Sequence, residues 1–235
     1  MEYRSTLLND PLNASTYATS NKMALNFGIY VTDLVYAGLF NQTQTMLRYK
    51  LAIQQMIDGL GMSVAVDNNV LKSLEENIND KETMLRILAE TYSSCSVYLK
   101  ENGRDFLSIS VLVGGWIEGM YIASSQTNEN LVSSEKQIER LVIDQKLTFD
   151  MLWQVMSDSI NRDIPEINEL MTEMMGLVEA FDAVEISTDT SQNKVVFDEK
   201  EQTDVIESLA LSSVRKETFE NIKEQIRTIR HNFVK

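Results

Sequence analysis

Apolar residues recur at helical spacing along most of the chain, and two stretches are apolar on nearly every face. The first is Ala24 to Phe40, ALNFGIYVTDLVYAGLF, with a single acid, Asp33, in its middle. The second is Ser108 to Ser124, SISVLVGGWIEGMYIAS, with a single acid, Glu118, in its middle. A helix that is hydrophobic all round must be covered by neighbours. Both runs are therefore expected as sister helices at the centre of an all-α fold.

The rest of the pattern supplies the covering helices. Residues 1–19, with Pro11 and the polar NASTYATS, read as an irregular lead-in. Periodicity and capping signals then predict helices over about 21–39, 43–60, 68–78, 81–101, 105–125, 129–146, 148–160 and 165–186. Ser20, Asp67 and Asp163 are the expected N-caps of the first, third and eighth, and Pro165 suits the first turn of the eighth. The expected inward face of the fourth is Leu85, Leu88, Tyr92, Cys95 and Leu99. Residues 187–202 form a polar break in which Val195 to Phe197 read as extended. A final helix or helix pair follows over about 203–234, with Phe219, Ile222, Ile226 and Ile229 among its apolar positions.

A fixed offset aligns the two halves. Adding 85 to residues 24–62 pairs Asp33 with Glu118, Tyr36 with Tyr121, Ile53 with Ile138 and Ile57 with Val142. Adding 82 from residue 70 onward pairs Leu74 with Met156, Leu85 with Ile167, Cys95 with Leu177 and Leu99 with Phe181. Core positions of any two amphipathic helices can be slid into agreement. An acid three residues before a Tyr inside an apolar helix is not forced by periodicity. The expectation is one all-helical domain, 1–235, a roughly nine-helix bundle. It would be built from two pseudo-symmetric four-helix units, 20–104 and 105–187, with the C-terminal helix, 203–234, packed across them. A tetratricopeptide-like array is the neighbouring architecture, although the residues of that motif are not recognisable.

Composition sharpens this picture. The chain has 235 residues, enough for a sizeable core, and only 9 Gly and 2 Pro, which favours helices. Its net charge of −14 sets it against phosphate backbones and anionic lipid, so no nucleic acid is expected as a partner. Cys95 is the one cysteine and reads as a small core residue; His231 is the one histidine. No apolar run of about 18 residues is free of polar interruption, so no transmembrane segment is expected. The sequons at Asn13 and Asn41 are common tripeptides and carry no weight.

The chemistry centres on the two acids. A buried carboxylate must be paired, protonated or hydrogen-bonded. Lys22, Arg48, Lys50 and nearby Tyr hydroxyls are the expected partners. Asp33, Glu118, Tyr30, Tyr36, Trp116 and Tyr121 together would make a polar, aromatic-lined pocket suited to a small cationic or sugar-like ligand. Gly114, Gly115 and Gly119 in one helix, and Gly28 in the other, imply close approach of a helix or ligand. A carboxylate-bridged di-metal centre needs histidines that no core helix has, and no P-loop, dinucleotide-binding, zinc-protease, nucleophile-elbow or paired CxxC motif occurs. No metal or cofactor is expected. The acidic row Asp163, Glu166, Glu169 and Glu173 reads as a solvated face.

The stretch SNKMALNFGIYVTDLVYAGLF, the NDP before it, and GGWIEGMYIA resemble a family of uncharacterised, predicted secreted lipoproteins of Gram-negative gut bacteria. The resemblance implies an all-helical fold and a periplasmic or cell-envelope location, with a lipid anchor upstream of this chain. It carries over no functional residue. A cytoplasmic location is the alternative. The function expected is a non-enzymatic helical binding or scaffold protein whose partner is an unknown protein or small molecule. The alternative is a hydrolase-type enzyme using Asp33 and Glu118 as an acid/base pair.

Overall fold

A computed structural model describes residues 2–66, 80–126, 144–158, 163–184, 194–198, 203–207 and 216–235, with a few single positions between them. The fold is all-helical, with one small hairpin among the described residues. Two 3-10 turns, Ser5–Leu7 and Pro11–Thr16, precede helices α1 (Ser20–Leu39), α2 (Thr43–Gly59), α3 (Lys81–Glu101) and α4 (Asp105–Ser125). Helices α5 (Lys146–Ser157) and α6 (Pro165–Asp182), strands β1 (Lys194–Asp198) and β2 (Thr203–Glu207), and helix α7 (Lys216–Phe233) follow. The helices expected over 68–78 and 129–146 lie largely outside the described residues.

The ends of the helices follow local chemistry. Thr19, one residue before the expected cap, accepts a hydrogen bond from the Lys22 N–H and caps α1. Asp80 does the same for α3 through the Thr83 N–H. Asp163 does not cap α6; Ile164 holds the cap position without a side-chain bond, and Pro165 needs no partner for its nitrogen in the first turn. Gly61 and Gly103 follow α2 and α3 with φ of +65° and +67°, the left-handed stop that glycine adopts without a Cβ penalty. Within the stretch expected as helix over 203–234, the described helix is Lys216–Phe233. Val195 to Phe197 are extended, as the polar break implied, but Asp204, Val205 and Ile206 pair with them in antiparallel register. Val205 and Ile206, adjacent and β-branched in a five-residue stretch, fit a strand as well as a helix turn.

Two hydrophobic cores lie on either side of α1 and α4. One joins Phe27, Tyr30 and Leu34 of α1 to Tyr49, Ile53 and Met56 of α2, to Met84, Cys95 and Leu99 of α3, and to Leu107 and Val111 of α4. The other joins Leu25 and Ile29 of α1 to Val113 and Ile117 of α4, and these to α5, α6 and the Phe219, Ile222, Ile226 and Ile229 face of α7. This is why the two central helices are apolar all round: each serves a core on both flanks. Helix α4 is also long and apolar enough to cross a membrane by length and composition, a test that a buried core helix passes equally well. In this fold 61% of its apolar window is packed inside the protein.

Helix α3 turns Cys95 and Leu99 inward as expected, with Tyr92 partly buried against the same core, and departs from the expected face near its start. Met84 and Ile87 are buried and Leu85 is 42% exposed. Met84, Leu85, Ile87 and Leu88 offer two overlapping apolar stripes, and the pattern alone does not choose between them. Burial of Cys95 pushes its thiol up to about 11, so it is a core residue rather than a nucleophile.

Helices α1 and α4 run parallel. Ser110 bonds Asn21 at one end, the Thr32 hydroxyl donates to the Gly115 carbonyl at 3.2 Å midway, and Gln126 bonds the Tyr36 hydroxyl at the other. Gly28 and Gly114 sit where the backbones touch. Gly119 is different: an added Cβ would meet only Thr32 Cγ2, at 4.0 Å. Gly119→Ala is therefore expected to raise stability by up to ~1 kcal/mol through helix propensity alone, read as a higher melting temperature.

Candidate functional site

The parallel pairing of α1 and α4 brings Asp33 and Glu118 together, within hydrogen-bonding reach of each other. Both are fully buried, at 0% exposure. Neither Lys22, Arg48 nor Lys50 pairs with them. The cation is Arg230, from α7. Its Nε donates to Glu118 Oε2 at 2.9 Å and its Nη2 to Oε1 at 3.2 Å, a forked pair that uses the guanidinium geometry fully. The same Nη2 also donates to the Leu7 carbonyl at 3.1 Å, and the guanidinium lies 4.8 Å from the centre of the Tyr121 ring.

The lead-in segment supplies the other half of the site. The Asn9 N–H donates to Asp33 Oδ2 at 3.1 Å. Its side-chain amide donates to the Tyr17 hydroxyl at 2.9 Å and to Asn26 Oδ1 at 3.1 Å, and its carbonyl accepts from the Tyr49 hydroxyl at 2.7 Å. Asn26 in turn donates to the Phe233 carbonyl at 2.9 Å. A buried polar hub thus ties residues 7–17 and the end of α7 to the two central helices. Buried polar groups that are fully bonded rigidify a fold, and half-bonded ones weaken it. The irregular lead-in is therefore part of the core: Leu7, Asn9, Ala14 and Tyr17 are all buried.

Electrostatics follow from this geometry. Burial pushes Asp33 well above the ordinary carboxyl range, and the neighbouring Glu118 adds to the effect against the opposing pull of Arg230. Burial also raises Glu118, while the Arg230 hydrogen bonds and charge draw it back. Desolvation works against the Arg230 charge, but Glu118, Asp33 and Tyr121 together outweigh it and favour the ionised form. Burial lifts Tyr17, Tyr30 and Tyr49 above the ordinary phenol value, so they act as neutral hydrogen-bonding groups.

The six residues expected to form one pocket do not converge. Asp33, Glu118 and Tyr121 meet around Arg230. Tyr30 donates to the Asp10 carbonyl at 3.0 Å, and the Tyr36 hydroxyl accepts from the Arg4 N–H at 3.0 Å and from Gln126 at 2.7 Å. Trp116 packs among Phe149 and Phe181 in the second core and donates to Gln145. Helical neighbours at i±3 of an acid share its face only in part, and each ring here follows its own core. Arg230 and Asn9 were missed because nothing local marks them; Arg230 is 112 residues from Glu118. Its one sequence signal is position: it follows the buried Ile229 and Ile226 at helical spacing, at the edge of an apolar face.

Two grooves open elsewhere. One, of about 620 Å³, lies between the start of α1, Phe106, α6 and the end of α7, with Glu166, Glu169 and Glu173 on one wall. The other, of about 590 Å³, runs between the first residues of the 3-10 turn and α2, beside Leu12, Arg48 and Leu51. Neither is lined by Asp33 or Glu118. Among the described residues, no three His, Cys, Asp or Glu side chains come together as metal ligands. Comparison with protein-family models, curated proteins and solved structures finds no match to the chain.

Proposed function

We propose that this chain is a non-enzymatic helical binding or scaffold protein of the cell envelope, in which the acidic centre joins structure rather than reacting. The observation that carries this reading is the sealing of Asp33 and Glu118. General acid–base catalysis needs a proton donor within reach of a substrate. Here both carboxyls are at 0% exposure and Glu118 has both oxygens engaged by Arg230. The surface left for recognition is the helix faces and the two grooves, the larger having the volume of a small-molecule site. The envelope location rests on the resemblance of the two central stretches to secreted lipoproteins.

The duplication belongs to the same proposal. Positions related by the offset of 85, Asp33 and Glu118, face each other across parallel helices, as equivalent residues do about a two-fold axis between them. Each central helix also flanks a core of its own half. The exposed Leu85 opposite a fully buried Ile167 is one described place where the two halves differ.

The test is a panel of chromogenic glycoside, ester and phosphate substrates, run on the wild type and on Asp33→Asn. Turnover at the buffer level for both proteins is expected. Turnover by the wild type that disappears in a folded Asp33→Asn variant would make the centre catalytic and overturn the reading.

A further inference from the structure

The acidic centre holds two buried carboxyls and one cation. Arg230 gives its forked pair to Glu118 alone. Asp33 Oδ2 accepts the Asn9 N–H, and Asp33 Oδ1, equally buried, receives no N–H or O–H from any described residue. What lies within hydrogen-bonding reach of Asp33 is the Glu118 carboxyl, another acceptor. Two acceptors in contact away from water need a proton between them, because like charges in a shared dry site do not both ionise. The remaining titratable groups facing the pair supply no second cation: Tyr17 just after the second 3-10 turn, Tyr30 from α1, Tyr49 from α2 and Tyr121 from α4.

We infer that Asp33 carries a proton at neutral pH and donates it to Glu118, so that the joint between α7 and the central helix pair is a proton-dependent lock. The proton sits on Asp33 rather than Glu118 because Glu118 faces the two guanidinium N–H donors, which favour its charge. The centre then holds one positive and one negative charge, and the orphaned oxygen becomes a hydrogen-bonded hydroxyl. This inference does not depend on what the protein binds.

The sign of the pH dependence follows. In the unfolded chain Asp33 ionises near its ordinary value of about 3.9. In the folded chain it keeps its proton to higher pH. Its contribution is complete below the unfolded value and declines as pH rises toward the folded one. Over that window the folding equilibrium constant falls by up to tenfold per pH unit for this one proton. The lock is tightest in acid.

Asp33→Asn tests this with little change of shape. The amide replaces the hydroxyl as donor to Glu118 and its oxygen still accepts from Asn9. Urea unfolding across the pH range should show the variant losing about one proton's worth of slope relative to the wild type, and surpassing it in alkali. A variant with the wild-type slope, or one less stable than the wild type in alkali, would overturn the inference. If the variant does not fold, infrared spectroscopy of the wild type in heavy water decides. A carboxylic-acid carbonyl band that persists at neutral pH and is lost only in alkali is expected; its absence at neutral pH would overturn the assignment.

Discussion

Arg230→Met is expected to destabilise the fold by about 3–5 kcal/mol, the cost of leaving a buried carboxylate without its counter-charge. The substitution keeps an unbranched apolar stem beside Tyr121 but removes the fork on Glu118 and the bond to the Leu7 carbonyl. Three segments are loosened at once: α7, the N-terminal turn and the central pair. Chemical denaturation measures the loss directly. Its pH dependence identifies the cause, because without Arg230 the cheapest remedy for Glu118 is to take up a proton. The deficit should therefore be smaller near pH 5 than near pH 8. Adding Glu118→Leu to Arg230→Met should recover part of the loss, since it is the stranded charge, more than the missing contact, that costs. A single variant within ~1 kcal/mol of the wild type would mean that the pair is not a joint of the fold.

The central pair was legible in the sequence for a physical reason, and its partners were not. An acid inside a run as apolar as Ala24 to Phe40 breaks periodicity without any surface face to explain it, so Asp33 and Glu118 stand out. Their meeting follows once the glycines mark a close helix contact. Arg230 carries no such mark: on α7 it sits between Ile229 and His231, in a stretch where charged residues are the rule. Asn9 is harder still, because its backbone N–H, not its side chain, meets Asp33. Residues chosen for a backbone contact leave no periodic trace. The start of α3 differs from its expected face for another reason. Two apolar stripes overlap there, and only packing against α1, where Met84 meets Gly38, selects between them. Trp116 lies beside Glu118 in sequence, yet two residues along a helix point apart, and its ring belongs with Phe149 and Phe181.

Gly28→Ala and Gly114→Ala should each cost about 3 kcal/mol or more, although alanine is the better helix former by ~1 kcal/mol at both sites. A Cβ on Gly28 would land on the Val111 carbonyl oxygen and lie 2.7 Å from the Gly115 nitrogen. One on Gly114 would land on the Leu25 carbonyl oxygen, with the carbonyl carbon at 2.8 Å. These obstacles are backbone, not the movable end of a side chain, so relief requires the helices to separate. Separation would also pull Asp33 from Glu118, which couples the contact to the polar hub. The expected signature is a large fall in melting temperature for both variants beside a rise for Gly119→Ala on the same helix. Since Gly114 and Gly119 differ only in what their missing Cβ would meet, the contrast isolates the backbone contact from helix propensity. If Gly28→Ala and Gly114→Ala melted at or above the wild type, α1 and α4 could not be in backbone contact, and the arrangement that seals the two acids would fall with it.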